Sequence, residues 1–374
     1  MEYLHCLKDE KFLDGAISLF EEDKSVNNTY ILFVNNPLDY TFKYIKSPLA
    51  KKNSIDLFLE IVNQYETVVL HSLTSIPIDF IPQIPKRIKV VWLMWGFDFY
   101  NSRVYPQKLL HRLTYNCLSL HDQLKIRLSS FVFHITDEHK YQQALYRVDF
   151  FSGVFPYEYS LLLSSSRYPG IKAKQVDFYY GSTDFFIPEE PSRIINNLHS
   201  NIIVGNSADP TNNALDAFEL MYSKLDINVI EKVIVPLSYG NNERYIAEVK
   251  ETGKRLWGNR FEPLESYIPL DDYLSLISNC RVAVFFHERQ QASDNVLMQL
   301  LFGARVYMSE TSEMFQYLKR EGYHIYSLQR DLEMINTLLS DEEVIENRAL
   351  LSKNYSTSKL VERVIRMNSI IADC

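Results

Sequence analysis

The chain has 374 residues, of which 46% are hydrophobic and 23% charged, and this predicts a soluble globular protein with two domains. Eleven glycines beside 25 tyrosines and 22 phenylalanines exclude collagen-like, low-complexity and largely disordered chains. The net formal charge of −8 argues against a general nucleic-acid-binding protein. Four separated cysteines, no apolar run long enough to span a membrane and no signal-like start predict a cytoplasmic protein.

The charge is unevenly distributed along the chain. Residues 86–147 contain ten bases and four acids, which gives this segment a net charge of +6 and leaves −14 for the remainder. Such an asymmetry marks an anionic partner or an anionic membrane surface. An ordinary solvated helix face is the alternative, and the charge pattern alone leaves both interpretations open.

The first half of the chain alternates short apolar runs with helical stretches, which is typical of α/β layers with parallel sheets. The predicted strands are Tyr30–Asn35, Thr67–His71, Ile88–Met94, Phe131–Thr136 and Val176–Tyr180. Helices are predicted over Ser54–Tyr65 and roughly over Pro106–Ser129. The polar, proline-containing stretch Ile187–Ser200 predicts a linker.

The same alternation restarts after this stretch. The predicted strands of the second half are Asn201–Gly205, Lys232–Pro236, Arg281–Phe286 and Ala304–Met308, and a helical segment follows each of them. Two βαβ domains in tandem are the simplest interpretation, with residues 1–187 in the first domain and residues 188–374 in the second. The last helix can return to pack on the first domain.

Ligands of open α/β sheets bind beyond the carboxyl ends of the strands, so the residues after each strand are candidates. A small polar loop from Asn206 to Asn213, which includes Ser207, opens a helix after the strand at 201–205. Backbone N–H groups at a helix start suit a phosphate. Capping of the helix by Asp209, Thr211 or Asn212 is the alternative.

Two further loops strengthen this interpretation. Tyr239 lies in the loop after the strand at 232–236, and Arg289, Gln290 and Gln291 follow the strand at 281–286. The arginine supplies a fixed, forked charge for a diphosphate, and the glutamines supply neutral donors. Asp294 would repel a diphosphate, so it or Ser293 is predicted to cap the next helix. Three such loops on one sheet predict a nucleotide site in the second domain.

The most unusual segment of the first half is Trp92–Tyr100, which places two tryptophans and Asp98 after a buried type of strand. Partial burial among aromatic rings would raise the pKa of Asp98 towards the working range of a general base. A helix cap or turn aspartate is the alternative. His71 ends another predicted strand, and a histidine in such a run is usually a core residue with its hydrogen bonds satisfied.

Motifs of several other enzyme classes are missing from the sequence. There is no DxD motif of metal-dependent sugar transferases, no helical pair of zinc-binding histidines, no GxSxG and no GxxxxGK[ST] loop. No metal or other cofactor is therefore expected. The stretch Tyr105–Phe133 combines leucines with four bases, and it could lie on an anionic bilayer or pack its apolar face inside the first domain.

These residues together resemble the TDP-N-acetylfucosamine:lipid II N-acetylfucosaminyltransferase family of enterobacterial common antigen synthesis. The matching pieces are His71, WxxWGxDxY at Trp92–Tyr100, IIVGNSADPTN at Ile202–Asn212, VIVPLSYGNNERYIAEV at Val233–Val249 and FxxERQQ at Phe285–Gln291. In the enterobacterial pattern glycine-containing residues follow RQQ, whereas this chain has Ala-Ser-Asp-Asn, and the loop after VP is shorter here.

The resemblance implies a GT-B architecture, in which two Rossmann-like domains with parallel sheets face each other across a cleft. It implies metal-independent transfer with inversion, from a nucleotide sugar to a glycan or a polyprenyl-diphosphate-linked acceptor. The enzyme would work in the cytoplasm, with peripheral contact to the inner membrane and no nucleic-acid partner. Asn206, Ser207, Tyr239, Arg289, Gln290 and Gln291 become candidates for donor binding.

On the acceptor side the resemblance implies Asp98 as the base that takes the proton of the acceptor hydroxyl. His71, Trp95 and Gly96 become candidate neighbours of the acceptor. A nucleotide-sugar 2-epimerase of the same fold is an alternative function, although it needs no acceptor. A catalytically silent, nucleotide-binding subunit is a second alternative.

Overall fold

A computed structural model describes residues 1–7, 13–34, 49–50, 55–100, 108–136, 138–186 and 200–374. The chain divides into two compact units. The first unit comprises Met1–Pro106, Leu128–Ser182 and Tyr355–Cys374, and the second comprises Gln107–Arg127 and Thr183–Asn354. Each unit is built on its own parallel sheet, and the fold class is therefore α/β, as predicted.

The first unit contains a seven-stranded sheet in which every pairing is parallel. Its strands are β1 (Glu2–Leu7), β2 (Asn27–Val34), β3 (Leu49–Ala50), β4 (Thr67–His71), β5 (Lys89–Leu93), β6 (Phe150–Ser152) and β7 (Lys174–Gln175). Its helices are α1 (Leu13–Phe20), α2 (Ile55–Val62), α3 (Gly96–Tyr100), α6 (Glu138–Arg147), α7 (Tyr157–Leu163) and α14 (Thr357–Ala372), while α5 (Leu120–Thr136) contains the division after Arg127.

The second unit contains a six-stranded parallel sheet. Its strands are β8 (Asn201–Val204), β9 (Val233–Pro236), β10 (Phe261–Leu264), β11 (Cys280–Phe285), β12 (Arg305–Met308) and β13 (Ile325–Ser327). Its helices are α4 (Arg112–Cys117), α8 (Ala214–Tyr222), α9 (Glu243–Trp257), α10 (Leu270–Ile277), α11 (Ser293–Phe302), α12 (Glu313–Arg320) and α13 (Asp341–Tyr355).

The order of strands places the candidate loops. The second sheet runs β10-β9-β8-β11-β12-β13, and the first runs β3-β2-β1-β4-β5-β6-β7. The strand order therefore reverses between β8 and β11 in one sheet and between β1 and β4 in the other. A crevice forms beyond the carboxyl ends of the strands at such a reversal, and open α/β sheets bind their ligands there.

Most predicted strands are confirmed. Those of the first half at 30–35, 67–71 and 88–94 correspond to β2, β4 and β5, and all four of the second half correspond to β8, β9, β11 and β12. Two predictions are wrong: Phe131–Thr136 is the last part of α5, and Val176–Tyr180 lies beyond the end of β7, although the Val176 amide still donates to the Phe151 carbonyl of β6 at 3.0 Å. A short apolar run is compatible with either a helix or a strand, and no breaker separates 131–136 from the helix before it.

The predicted boundary after residue 187 would place residues 107–127 in the first domain, whereas they belong to the second unit. Asp216 of α8 accepts hydrogen bonds from the Leu113 and Thr114 amides, at 2.8 and 2.9 Å. These amides belong to the first turn of α4, where a helix has no internal acceptor for them. Leu110, Leu113 and Leu118 also pack in the core of the second unit, so the 107–127 segment belongs there.

The last helix, α14, belongs to the first unit. Its buried Asn368 donates from Nδ2 to Asp23 Oδ2 at 2.8 Å, and α14 packs against α1. The predicted linker lies outside the described residues except for Ser200. Within the described ranges, no helix is both long and apolar enough to cross a membrane.

Candidate functional site

The three predicted loops of the second unit meet at the carboxyl edge of its sheet. Thr211 Oγ1 lies 2.7 Å from Gln291 Oε1, and Gln291 Nε2 donates to Asn206 Oδ1 at 3.4 Å, which joins the loops after β8 and β11. The loop after β9 joins them through the Ala208 amide, which donates to the Tyr239 carbonyl at 2.6 Å. The prediction that these loops come together is confirmed by the contacts.

The buried Asn212 side chain organises the loop after β8. Its Oδ1 accepts from the Asn206 amide at 3.0 Å and bonds His287 Nε2 at 2.9 Å, while its Nδ2 donates to the Ser207 carbonyl at 3.0 Å. Gly205, at φ +71°, stands so close that a Cβ there would lie 2.8 Å from Asn212 Oδ1. The loop is therefore held in one conformation by a side chain beneath it.

The predicted capping role of Asp209 is also present. Its Oδ1 accepts from the amide and the hydroxyl of Thr211, at 2.8 and 2.6 Å, and so caps the short 3-10 turn Pro210–Asn212. The following helix α8 begins after Asn213, whose side chain makes no capping bond to it. Asp209 is thus structural. Asn206 is partly exposed, whereas Ser207 is buried and its Oγ accepts from Asn212 Nδ2 at 3.0 Å.

The loop after β11 carries the predicted cation. The Arg289 side chain is partly exposed and donates from Nη1 to the Gln290 carbonyl at 3.1 Å, while Gln290 Nε2 donates to Ser293 Oγ at 3.3 Å. Helix α11 begins after Ala292, at φ 55°, and the N-cap residue makes no side-chain capping bond. Neither Ser293 nor Asp294 is the N-cap residue, so the prediction that one of them caps this helix is wrong.

The short loop after β9 lies against the backbone of the loop after β8. Gly240 has φ +130°, and a Cβ at this position would lie 2.8 Å from the Ala208 carbonyl carbon. Glycine therefore lets this loop come against the loop after β8. The neighbouring Tyr239 ring is 78% exposed, so its aromatic face is available to a ligand.

A polar cluster that no local sequence pattern predicts lies directly beside Arg289. Glu288 bonds His111 Nε2 at 2.6 Å and accepts from Ser309 Oγ at 2.6 Å and Thr311 Oγ1 at 2.7 Å. Burial opposes ionisation of Glu288, but these three partners outweigh it and hold its pKa below the ordinary value. His111 belongs to the 107–127 segment and stacks on Phe286, at 4.4 Å between ring centroids.

In the first unit Asp98 is 2% exposed and its carboxylate lies among backbone and indole donors. Its Oδ2 accepts from the Leu73 amide at 2.7 Å and Trp92 Nε1 at 2.9 Å, and its Oδ1 accepts from the Trp95 amide at 2.9 Å. Burial raises its pKa to about 7, although the hydrogen bonds act in the opposite direction. Its reach back to the amide just before α3 is one half of a capping box.

The loop that donates to Asp98 is strained. Ser72 follows β4 with φ 102°, a backbone conformation that residues other than glycine rarely adopt. Its carbonyl accepts from the Ser75 amide and hydroxyl, at 3.0 and 2.8 Å, which holds the turn. Such strain costs about 1–3 kcal/mol and is typical of functional sites.

His71 is a member of a buried chain of polar side chains. Asn28 Nδ2 donates to the Phe20 carbonyl at 3.2 Å, which turns Asn28 Oδ1 towards His5 Nε2, at 3.0 Å. His5 Nδ1 then accepts from His71 Nε2 at 3.0 Å, and His71 Nδ1 accepts from the Tyr180 hydroxyl at 3.1 Å.

The Asn28 amide sets the direction of this chain of hydrogen bonds. Its Oδ1 can only accept, so His5 Nε2 must donate, and each neutral ring has one donor and one acceptor. Burial lowers the pKa of His5 to about 4 and that of His71 well below its ordinary value, so both rings are neutral at pH 7. Trp95 packs on Tyr180 at 4.8 Å between centroids, and Gly96 begins α3. His71, Trp95 and Asp98 thus lie in one region of the first unit.

Among the described residues there is no group of three or more His, Cys, Asp or Glu side chains placed to hold a metal ion. The chemical features of the two units differ. The second unit offers an arginine, amides and a helix start at a strand-order reversal, and the first offers a buried carboxylate beside aromatic rings.

Comparison with known proteins agrees with this division of features. A family model described as 4-alpha-L-fucosyltransferase, glycosyl transferase group 56, matches residues 167–347, which include the three loops of the second unit. Asp98 and His71 lie outside the matched residues.

Solved structures show the same fold across the whole chain. Anabaena HepE, solved with UDP and glucose, is 11% identical, with 99% of this chain and 100% of that chain covered and a TM-score of 0.67. A putative UDP-N-acetylglucosamine 2-epimerase from Listeria monocytogenes is 11% identical, covers 100% and 97%, and has a TM-score of 0.56. The pneumococcal O-GlcNAc transferase GtfA, solved with UDP and GlcNAc, is 11% identical, covers 87% and 61%, and has a TM-score of 0.55.

At these identities the structures establish the fold, which is that of the GT-B class. The fucosyltransferase model, which matches residues 167–347 of this fold, supports a glycosyltransferase.

Proposed function

We propose that the protein is an inverting, metal-independent glycosyltransferase. In this proposal it moves a fucose-type deoxyhexose from a nucleoside diphosphate to a glycan or polyprenyl-diphosphate-linked acceptor, in the synthesis of a bacterial surface polysaccharide. The observation that carries the proposal is the meeting of three loops around Asn206, Tyr239 and Gln291, at a strand-order reversal and inside the fucosyltransferase match.

The donor side of the proposal uses the second unit. Arg289 and the first amides of α11, whose N-cap residue makes no side-chain capping bond, would neutralise the departing diphosphate, which a metal ion does in other transferases. Gln290 and Gln291 would donate to its oxygens, and Asn206 and Ser207 would bind from the loop after β8. The exposed Tyr239 ring would contact the nucleoside. HepE and GtfA, with UDP in their structures, support a nucleotide at this type of fold.

The acceptor side uses Asp98, with His71, Trp95 and Gly96 beside it. A carboxyl with a pKa of about 7 is half ionised at neutral pH, which suits a general base. The acceptor hydroxyl would give its proton to Asp98 while its oxygen forms the new bond to C1 of the sugar. The bond from C1 to the diphosphate breaks on the opposite face, which inverts the anomeric centre.

Because Asp98 is 2% exposed, the acceptor must reach it through a defined approach. Oδ2 already accepts two hydrogen bonds, whereas Oδ1 accepts from the Trp95 amide, so the hydroxyl is expected to meet Oδ1. Trp95 and Gly96 then lie on the acceptor side, because Trp95 directly precedes α3 and Gly96 begins it.

Product analysis tests the proposal. The purified protein is incubated with fucose-type nucleotide sugars, first alone and then with lipid-linked or free glycan acceptors, with and without EDTA. We expect a glycosylated acceptor of inverted anomeric configuration, formed equally in EDTA. A changed donor without acceptor would indicate the epimerase, and nucleotide binding without any turnover would indicate the silent subunit.

A further inference from the structure

The first turns of α5 carry large apolar side chains into solvent. Leu120 is 77% exposed, and Leu124 and Leu128 are each 54% exposed. Residues four apart lie on the same face of a helix, so the three leucines form one stripe. In contrast, Leu110, Leu113 and Leu118 of the same stretch pack in the core of the second unit. An exposed apolar stripe of this kind marks an interaction surface.

Polar contacts hold the start of α5, where the stripe begins. Ser119 Oγ donates to Asp122 Oδ2 at 2.7 Å and accepts from the Asp122 amide at 3.0 Å, which caps the start of the helix. Gln123 Nε2 donates to the Leu118 carbonyl at 3.1 Å. These bonds hold the first turn of α5 together, while Leu120, Leu124 and Leu128 stay exposed.

Bases border the leucine stripe. Lys125 lies three residues before Leu128, and Arg127 lies three residues after Leu124, so each base is a neighbour of a leucine on the helix surface. Residues 108–128 contain four bases and one acid, although the whole chain has a net charge of −8. Arg127 is held by the Tyr115 hydroxyl, to which its Nε donates at 2.8 Å.

We propose that this surface of α5 docks on an anionic lipid bilayer. Leu120, Leu124 and Leu128 would enter the boundary between headgroups and acyl chains, and Lys125 and Arg127 would pair with lipid phosphates. The local positive charge selects an anionic surface over a neutral one. This inference deepens the proposed function, because it names the surface that would meet a membrane holding a lipid-linked acceptor. Only the presence of that acceptor rests on the proposed function.

Vesicle co-sedimentation tests the proposal without nucleotide or turnover. Wild-type protein is mixed with vesicles of phosphatidylcholine alone or with added phosphatidylglycerol. We expect binding to the anionic vesicles that weakens with salt. The double change Lys125→Glu and Arg127→Glu should lower the partition coefficient at least roughly 20-fold, since each base near the surface contributes about fivefold. Leu120→Ser with Leu124→Ser should lower it roughly tenfold or more.

Matched controls use exposed residues elsewhere on the chain. Leu338 and Ile345 are 49% and 65% exposed, and their paired change to serine should leave vesicle binding unaltered. Lys353→Glu with Arg366→Glu reverses two exposed bases on α13 and α14, and it should have a much smaller effect than the α5 pair. Equal circular dichroism spectra and melting temperatures establish that every variant is folded.

Three results would overturn the proposal. These are equal binding to neutral and anionic vesicles, equal losses in the control and α5 variants, and a wild-type dimer that Leu120→Ser with Leu124→Ser dissociates. The last result would assign the stripe to a second copy of the chain. Because the assay contains no donor or acceptor, its failure leaves the transfer reaction standing, and a failed transfer reaction leaves vesicle binding standing.

Discussion

Replacing Asp98 by asparagine should remove a pH-dependent cost to the stability of the folded protein. In the folded state burial raises the pKa of Asp98 to about 7, from an ordinary value of 3.8. Between these values the folded protein binds more protons than the unfolded chain does. The free energy of unfolding therefore falls as pH rises, by about 1.4 kcal/mol per pH unit for this group.

The size of the effect can be worked out for two buffers. From pH 5 to pH 7 the wild-type protein should lose about 2 kcal/mol of stability through Asp98, and little more above pH 8. The asparagine variant lacks this titration. Its amide group cannot accept all three bonds from Leu73, Trp92 and Trp95, so it carries a constant cost of about 1–3 kcal/mol.

Urea unfolding of both proteins at pH 5, 6, 7 and 8 measures the difference. The stability advantage of the wild-type protein over Asp98→Asn should shrink by about 2 kcal/mol between pH 5 and pH 7. Burial, and to a smaller extent the charge of Asp98, raise the pKa of Glu158 to about 8, so only the part of its titration that does not depend on Asp98 cancels in the comparison. Parallel curves would refute the elevated pKa of Asp98, and retained sugar transfer by the variant would remove Asp98 as the base.

Three further predictions concern the contacts of each unit. Arg289→Ala should weaken nucleotide binding by roughly 2–4 kcal/mol in calorimetry. Arg330→Ala, which removes an exposed surface ion pair, is the control and should leave the affinity unchanged. Equal nucleotide affinities of Arg289→Ala and the wild-type protein would exclude Arg289 from the donor site. Asp216→Ala removes the acceptor of two α4 amides and should cost about 1–3 kcal/mol and speed proteolysis within 107–127. Glu219→Ala on the same helix, with an exposed partner at 3.8 Å, is its control, and identical behaviour of the two would contradict the capping role. Nitrogen-15 spectra should show His5 and His71 neutral and protonated at Nε2 at pH 7, and a proton on Nδ1 of either ring would contradict the direction of the hydrogen-bond chain.

The sequence predicted the sheets best where strands are buried on both faces. Runs such as Val233–Pro236 and Thr67–His71 are continuous apolar segments, because helices cover both sides of a parallel sheet. The positions of the loops after these strands could be predicted as well, because the carboxyl ends of parallel strands lie at one edge of the sheet. Contacts through Gln291 and Tyr239 show that the three loops of the second unit meet at one edge of its sheet.

Features that depend on residues distant in the chain were missed. The central strand β1 contains His5, whose burial depends on His71 and Asn28, 66 and 23 residues away. Residues 107–127 belong to the second unit because Asp216, about 100 residues later, caps α4. The cluster of Glu288 with His111 depends on the same placement, and no local pattern announces it.

The measurement that tests the central proposal most directly is a thermal-shift panel of TDP, UDP and GDP with their common sugars, on the wild-type protein and on Arg289→Ala. A ligand at 100 times its dissociation constant adds about 2.7 kcal/mol to stability, which is resolved as a rise in Tm. We expect a clear rise with at least one nucleotide, strongest for the diphosphate of the true donor and reduced in Arg289→Ala. The absence of any rise with every nucleotide would contradict a nucleotide-sugar transferase.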